Sequence, residues 1–145
     1  MEKPVIISIR GVQSLEPGEE DVMELVTQGV LRQEEGEGFS LSYLESELTG
    51  LLGVTTTFRV EPERVTLSRT GKLSSTMVFQ EGVSHDSLYK MEFGALMITV
   101  TATRIFCDLT PAGGFLDLVY HIVIEDSEAG EIDYHLDIRA AEQPQ

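Results

Sequence analysis

The chain has 145 residues, a length that suits one domain, and 41% of them are hydrophobic, which supplies a packed core and excludes a disordered chain. Its 25 acidic and 10 basic side chains leave a net charge of −15. That charge repels phosphate backbones and anionic lipid, so no nucleic-acid partner and no membrane partner is expected.

Turn chemistry recurs along the whole chain, at Glu16-Pro17-Gly18, Glu35–Gly38, Thr49–Gly53, Glu61-Pro62-Glu63, Thr70-Gly71-Lys72, Glu81-Gly82, Phe93-Gly94, Pro111–Gly114 and Ser127–Gly130. Glycine supplies positive φ and proline presets φ, so each cluster has a backbone reason to reverse. About nine reversals imply about ten strands, and turns spaced roughly 8–12 residues apart mark an all-β sandwich or barrel. The segment after Glu19-Glu20-Asp21 could start a helix on its acidic first turn, but Thr27, Gly29 and the valines around them favour a strand. Phe39, Leu41 and Tyr43 share one strand face, which continues to Glu45 and Glu47; Val65 and Leu67 share a face that continues to Arg69. Later, Leu116, Leu118, Tyr120, Ile122 and Ile124 alternate with polar residues, as do Ile132, Tyr134, Leu136 and Ile138. No linker, repeat or low-complexity tract divides the chain, so residues 1–145 are expected to form a single antiparallel meander. An open meander of this size exposes two sheet edges, and closing it into a barrel removes them. A barrel of eight to ten strands holds side chains and about one small ligand.

No apolar run approaches the length of a transmembrane helix, and the short run Val5–Ile9 is too brief for a signal-peptide core. The single cysteine, Cys107, cannot form an internal disulfide. A reducing cytoplasm is the expected location. The charge is concentrated at the two ends of the sequence. Residues 1–58 carry 11 acids and 3 bases, residues 59–104 carry 5 and 6, and residues 105–145 carry 9 and 1. An acidic outer rim follows, with solubility as its simplest role and a basic partner as an alternative.

An ordered set of motifs runs through the chain: Val5–Gly11, Tyr43–Gly50 followed by Gly53–Thr57, Val65–Gly71, Met77-Val78-Phe79, and Phe93–Thr101. In this order and spacing they resemble the DUF1934 family, the YwiB-like bacterial proteins, over nearly the whole length. The resemblance implies a calycin-like, lipocalin-like β-barrel in a bacterial cytoplasmic protein and brings no activity with it. One departure is Met91-Glu92-Phe93-Gly94, where the family pattern leads one to expect a Thr-Pro-Tyr-Gly type turn.

Polar residues on apolar faces are the informative ones in a barrel. The strands carrying Glu45 and Arg69 should flank the strand of residues 54–60, so a carboxylate and a guanidinium can project toward one end of the interior. Such a pair would fix strand register or anchor a ligand. Thr55, Thr56 and Thr57 lie on the intervening strand, and Thr57 is taken as the third anchor. Thr99, Thr101 and Thr103 alternate on another strand, where strand propensity alone accounts for them. In the last hairpin, a five-residue loop at 126–130 would set His121 opposite His135, with Asp117 opposite Arg139. Directly opposed side chains stand roughly 4.5–5.5 Å apart at Cβ. That spacing makes His121 and His135 a candidate metal pair, with a neighbouring aspartate as third ligand. A solvated outer face is the simpler reading. His85 falls in a segment that reads as a turn, and Cys107 beside Asp108 is a poor thiolate. No nucleophile elbow, phosphate loop, dinucleotide fingerprint or HExxH motif occurs, and no motif calls for a cofactor. The leading expectation is a non-enzymatic protein that takes a small, partly apolar ligand into its barrel. The alternatives are an interaction protein or homodimer that uses its outer surface, and an enzyme with an unfamiliar site at the barrel mouth.

Overall fold

Alternation with a two-residue period governs the architecture. A computed structural model describes residues 2–16, 18–34, 38–45, 52–91 and 93–141. Ten strands follow one another: β1 (Glu2–Glu16), β2 (Glu19–Gln33), β3 (Phe39–Leu44), β4 (Val54–Glu61), β5 (Arg64–Gly71), β6 (Ser75–Phe79), β7 (Ser84–Met91), β8 (Gly94–Thr110), β9 (Gly113–Ile124) and β10 (Ser127–Ala140). The segment after Glu19 is strand rather than helix. Among the described residues no helix is long and apolar enough to cross a membrane. Residues 35–37 of the expected turn Glu35–Gly38, residues 49–51 of the one at Thr49–Gly53, Pro17 and Glu47 lie outside the described residues.

All ten strands form one antiparallel sheet in the order β6-β5-β4-β3-β2-β1-β10-β9-β8-β7. Every neighbour is consecutive in sequence except β1 and β10, which pair from Val5 opposite Ala140 to Ser14 opposite Glu131. The first and last strands thus lie in the middle of the sheet, and its edges are β6 and β7. These edges meet across a short seam. Ser74 and Lys90 exchange two backbone hydrogen bonds of 3.0 and 2.8 Å, the Gly82 amide donates to the Ala102 carbonyl at 2.9 Å, and the Ser87 hydroxyl donates to the Thr76 carbonyl. The sheet is a nearly closed barrel.

Inside it, Val5, Ile7 and Ile9 of β1, Phe58 of β4, Val65 of β5, Phe79 of β6, Leu116 and Leu118 of β9 and Leu136 of β10 make one continuous buried cluster. Each such side chain contributes about 1.5–3 kcal/mol by leaving water. Phe79 packs on Tyr120 at 4.6 Å between ring centroids, and Phe58 stacks on Tyr134 at 5.8 Å.

The β9–β10 hairpin departs from the sequence expectation. Its turn is the two residues Glu125 and Asp126, with φ of 50° and 65°, and not a loop at 126–130. Gly130, read as a turn residue, sits at a bulge: the register shifts between Glu128 and Gly130, and Gln13 donates a 3.0 Å hydrogen bond to the Ala129 carbonyl exposed there. A tight turn plus one bulge moves the whole pairing, because strand register follows from loop length. His121 therefore stands opposite Glu131, and His135 opposite Asp117. His85, expected in a turn, lies within β7.

Gly29 shows why a glycine interrupts the apolar pattern of β2. A Cβ built there would lie 2.6 Å from the Ser42 carbonyl oxygen and 2.6 Å from Ile7 Cδ1, so the two adjacent strands leave no room for a side chain. Gly29→Ala is expected to destabilise the fold by about 1–3 kcal/mol through overpacking. Val26→Ala, three residues away at a side chain 65% exposed, should change stability by less than about 0.5 kcal/mol. Urea denaturation of the two variants checks the contrast; equal stabilities would contradict it.

Candidate functional site

The inner face carries an uninterrupted row of cross-strand partners. Gly29 pairs with Tyr43, Tyr43 with Thr56, Thr56 with Arg69, and Arg69 with Ser75. Glu45 extends the same face of β3 by two residues, and its backbone amide donates to the Val54 carbonyl at 2.8 Å. Glu45, Thr56 and Ser75 are all buried, at 6%, 0% and 5% exposure. A row of polar groups therefore crosses the sheet on the side where most residues are apolar.

The expected approach of Glu45 and Arg69 occurs through an intermediary. The Thr56 hydroxyl donates to Glu45 Oε2 at 2.5 Å, while Thr56 stands directly opposite Arg69. No ion pair joins Glu45 to Arg69; the ion pairs formed among described residues lie elsewhere. Arg69 Nε is buried without a hydrogen-bond partner, and so is the Ser75 hydroxyl opposite it. An unmet buried donor typically costs about 1–3 kcal/mol, so two of them side by side are an unusual expense for a structural core.

Thr57 does not share this site. In β4 the residues Val54, Thr56, Phe58 and Val60 face inward, and Thr57 faces outward with Arg59. The Thr57 hydroxyl lies 3.0 Å from that of Ser42 on the outer surface. The inward threonine is its neighbour Thr56, and the charge of Arg59, two residues beyond Thr57, was the sequence signal for that parity. Thr99 and Thr101 also face out, where they bond Asp86 at 2.7 Å and Ser84 at 2.6 Å. Ser75 is reached by extending the face of Met77 and Phe79 by two residues, a step the sequence permits.

Three tyrosines complete the interior. The hydroxyls of Tyr43 and Tyr134 lie 3.3 Å apart, and Tyr120 and Tyr134 line a cleft of about 230 Å³ together with Gly11, Met23 and Ile132. Burial raises the hydroxyl pKa of all three. In Tyr43 the neighbouring Tyr134 and Glu45 raise it further, while the Arg69 cation works in the opposite direction on Tyr43, Tyr120 and Tyr134 alike. Arg69 is thus within electrostatic reach of the cleft's two tyrosines.

The histidine pair expected to hold a metal is not assembled. His121 and His135 are four register positions apart, and His135 lies between Asp117 and Asp137, with its ring nitrogens 3.3 Å from a carboxylate oxygen of each. Arg104 also bonds Asp117, at 2.6 Å. Burial alone would raise Asp117, but hydrogen bonds from Asp133, Arg104 and His135 together outweigh it and hold Asp117 below the usual carboxylate range. Asp133 is raised, by burial first and then by the Asp117 carboxylate it faces. This network sits on the outer face of β8, β9 and β10, with the stacked rings of Phe106, Phe115 and His135 beside it. Among the described residues no cluster of three or more His, Cys, Asp or Glu could hold a metal ion. Desolvation and the charge of Asp108 raise the Cys107 thiol against a backbone hydrogen bond from Leu109, which disfavours the thiolate a nucleophile needs.

Comparison with known proteins places this geometry. The family DUF1934, described as a domain of unknown function, matches residues 7–138. The chain belongs to the DUF1934 family. The crystal structure of the ywiB protein from Bacillus subtilis superimposes with a TM-score of 0.84 at 23% sequence identity, covering 97% of this chain and 94% of that one, which shows a shared fold. No curated protein matches the chain.

The interior of this DUF1934 barrel has a pH signature. Three of its four tyrosines are held neutral by the fold. An unfolded tyrosine ionises near pH 10. Below that pH the native and unfolded chains hold equal numbers of tyrosine protons and stability is unaffected. Above it, unfolding releases protons that the native state keeps, so stability falls with rising pH by up to about 1.4 kcal/mol per unit for each tyrosine. Absorbance titration near 295 nm should therefore show Tyr43, Tyr120 and Tyr134 ionising together, in one cooperative step that coincides with loss of β circular dichroism. Three independent ionisations near pH 10 in folded protein would contradict the burial.

Proposed function

We propose that this protein is a non-enzymatic cytoplasmic binder that takes a small, partly apolar molecule into its barrel. The observation that carries the reading is the pair of buried, unmet polar groups, Arg69 Nε and the Ser75 hydroxyl, on the inner face of a mainly apolar barrel. Buried polar groups are nearly always satisfied, and the exceptions call for an explanation. A ligand that enters by the cleft at Tyr120 and Tyr134 and extends toward Arg69 supplies one. The mixture of apolar wall and few polar anchors is the usual composition of a small-molecule site. Glu45, held by Thr56, serves as a second anchor. The cytoplasmic location rests on the lone cysteine, which can form no internal disulfide.

Native mass spectrometry of freshly purified protein tests this. Wild type is expected to carry an excess mass that denaturation removes. Gly11→Leu should lose it, because a Cβ at Gly11 already lies 3.4 Å from the Tyr134 ring and a longer side chain fills the cleft. A bare wild-type mass, together with no thermal stabilisation by any member of a small-molecule library, would overturn the reading.

One observation favours a second reading, a barrel dimer. Val22, Val26 and Val30 are exposed at 51%, 65% and 40% along one side of β2, and a groove beside them is lined by Pro4, Val30, Leu44 and Ala141. A second copy of the chain would cover this apolar row. The same mass spectrum reads it: a dimer that Val26→Lys dissolves supports the reading, and a monomer at every concentration rejects it.

A further inference from the structure

From the donors in the barrel we infer the chemical class of the ligand: a carboxylate on a small apolar body, its oxygens received by Arg69 and Ser75. The inference rests on the barrel-binding reading above and specifies the head group that such a ligand presents. Three features carry it.

The first is the sign of what is missing. Arg69 Nε, which can only donate, and the Ser75 hydroxyl, which donates or accepts, are both buried and both unmet, and their residues sit directly opposite each other on β5 and β6. A group that meets Arg69 must offer an acceptor, toward which the Ser75 hydroxyl can turn its proton. A guanidinium edge beside a hydroxyl suits a planar carboxylate, whose two oxygens take parallel N–H bonds or divide between neighbouring donors.

The second is charge. Arg69 is half-buried with its Nε out of water, where a counter-charge is favourable, and its nearest expected counter-ion, Glu45, accepts from Thr56 and makes no ion pair with it. One negative charge on the ligand completes the site. Two would exceed it: Glu45 already faces the interior, 6% exposed, and a dianionic phosphate would bring two like charges near a buried carboxylate with one guanidinium to balance them.

The third is the path. Tyr120 and Tyr134 line the cleft, and Tyr134 reaches Tyr43, the cross-strand partner of Thr56, through a 3.3 Å hydroxyl contact. An aromatic or aliphatic body lies against Tyr120, Ile132 and Tyr134, which line the cleft, while its head group points toward the polar row. The chain's net charge of −15 repels any anion at long range, so the approach should be faster in salt, while the local Arg69 contact decides affinity.

The test uses three matched probes, sodium benzoate, benzamide and phenyl phosphate, titrated into uniformly ¹⁵N-labelled full-length protein. Benzoate is expected to give saturable shifts at Thr56, Arg69, Ser75, Tyr120 and Tyr134, with affinity at least about tenfold above that of benzamide and phenyl phosphate. Arg69→Gln should remove the benzoate preference, bringing benzoate affinity down by about tenfold to that of benzamide. Arg69→Lys, which keeps the charge but lacks Nε, and Ser75→Ala should each remove part of it. An unchanged β circular dichroism spectrum shows that a variant is folded. Equal binding of benzoate and benzamide to wild type, or tighter binding of phenyl phosphate, would overturn the carboxylate assignment and leave the barrel-binding reading standing. Failure of every probe to shift an interior resonance would overturn both.

Discussion

Closure of the sheet is the constraint on which the rest depends. A ten-stranded meander left flat has two faces and two edges; bent until β6 meets β7, it has one shared interior that every strand must supply. From then on each inward position on any strand is a neighbour of inward positions on the strands beside it, and a polar residue placed there has no water to turn to. The pairing of β1 with β10 forms the middle of that sheet and joins residues far apart in sequence, so much of the barrel's cohesion is non-local. The seam, by contrast, is held by a handful of hydrogen bonds around Ser74, Lys90, Ser87 and Gly82. Folding of such a topology is expected to be slow for its size, and the seam to be the part that opens at least cost.

Against that background the interior is divided. One portion is an ordinary core of Ile7, Phe58, Phe79, Leu116 and Leu136. The other is a polar row whose members do not satisfy one another: Thr56 answers Glu45, Tyr43 meets Tyr134, and Arg69 and Ser75 each keep a buried donor unmet. A register device would be expected to close its own hydrogen bonds, since a half-satisfied network is worse than an apolar one. The outer network closes its bonds around Asp117, to Arg104 and His135, while Asp133 Oδ1 beside it is also buried without a partner. What sets the candidate site apart is that its two unmet atoms belong to cross-strand partners, Arg69 opposite Ser75.

Much of this was legible in the sequence, for a physical reason. Strand alternation is strict, so the apolar run Phe39, Leu41, Tyr43 carries Glu45 to the inner face, and Val65 and Leu67 carry Arg69 there. Turn residues gave the strand number. What the sequence obscured was parity and register. Three threonines in succession offer no internal clue to which faces inward, and only Phe58 and Arg59 beyond them break the tie in favour of Thr56. Gly130 could serve a turn or a bulge, and the chain uses it for a bulge while Glu125 and Asp126 take the positive φ of the turn. That choice parts His121 from His135. The tyrosines were visible as strand residues, but their meeting across the barrel depends on closure, which no local pattern encodes.

The central claim, that Arg69 is kept for a ligand and not for the fold, is tested most directly by equilibrium urea unfolding of Arg69→Met in ligand-free protein. If the guanidinium is an unmet buried donor, an apolar side chain of similar length removes its desolvation cost. The variant should then be as stable as wild type or more stable by about 1–3 kcal/mol. A loss of about 3 kcal/mol or more would show Arg69 to be a structural partner, and would contradict the account.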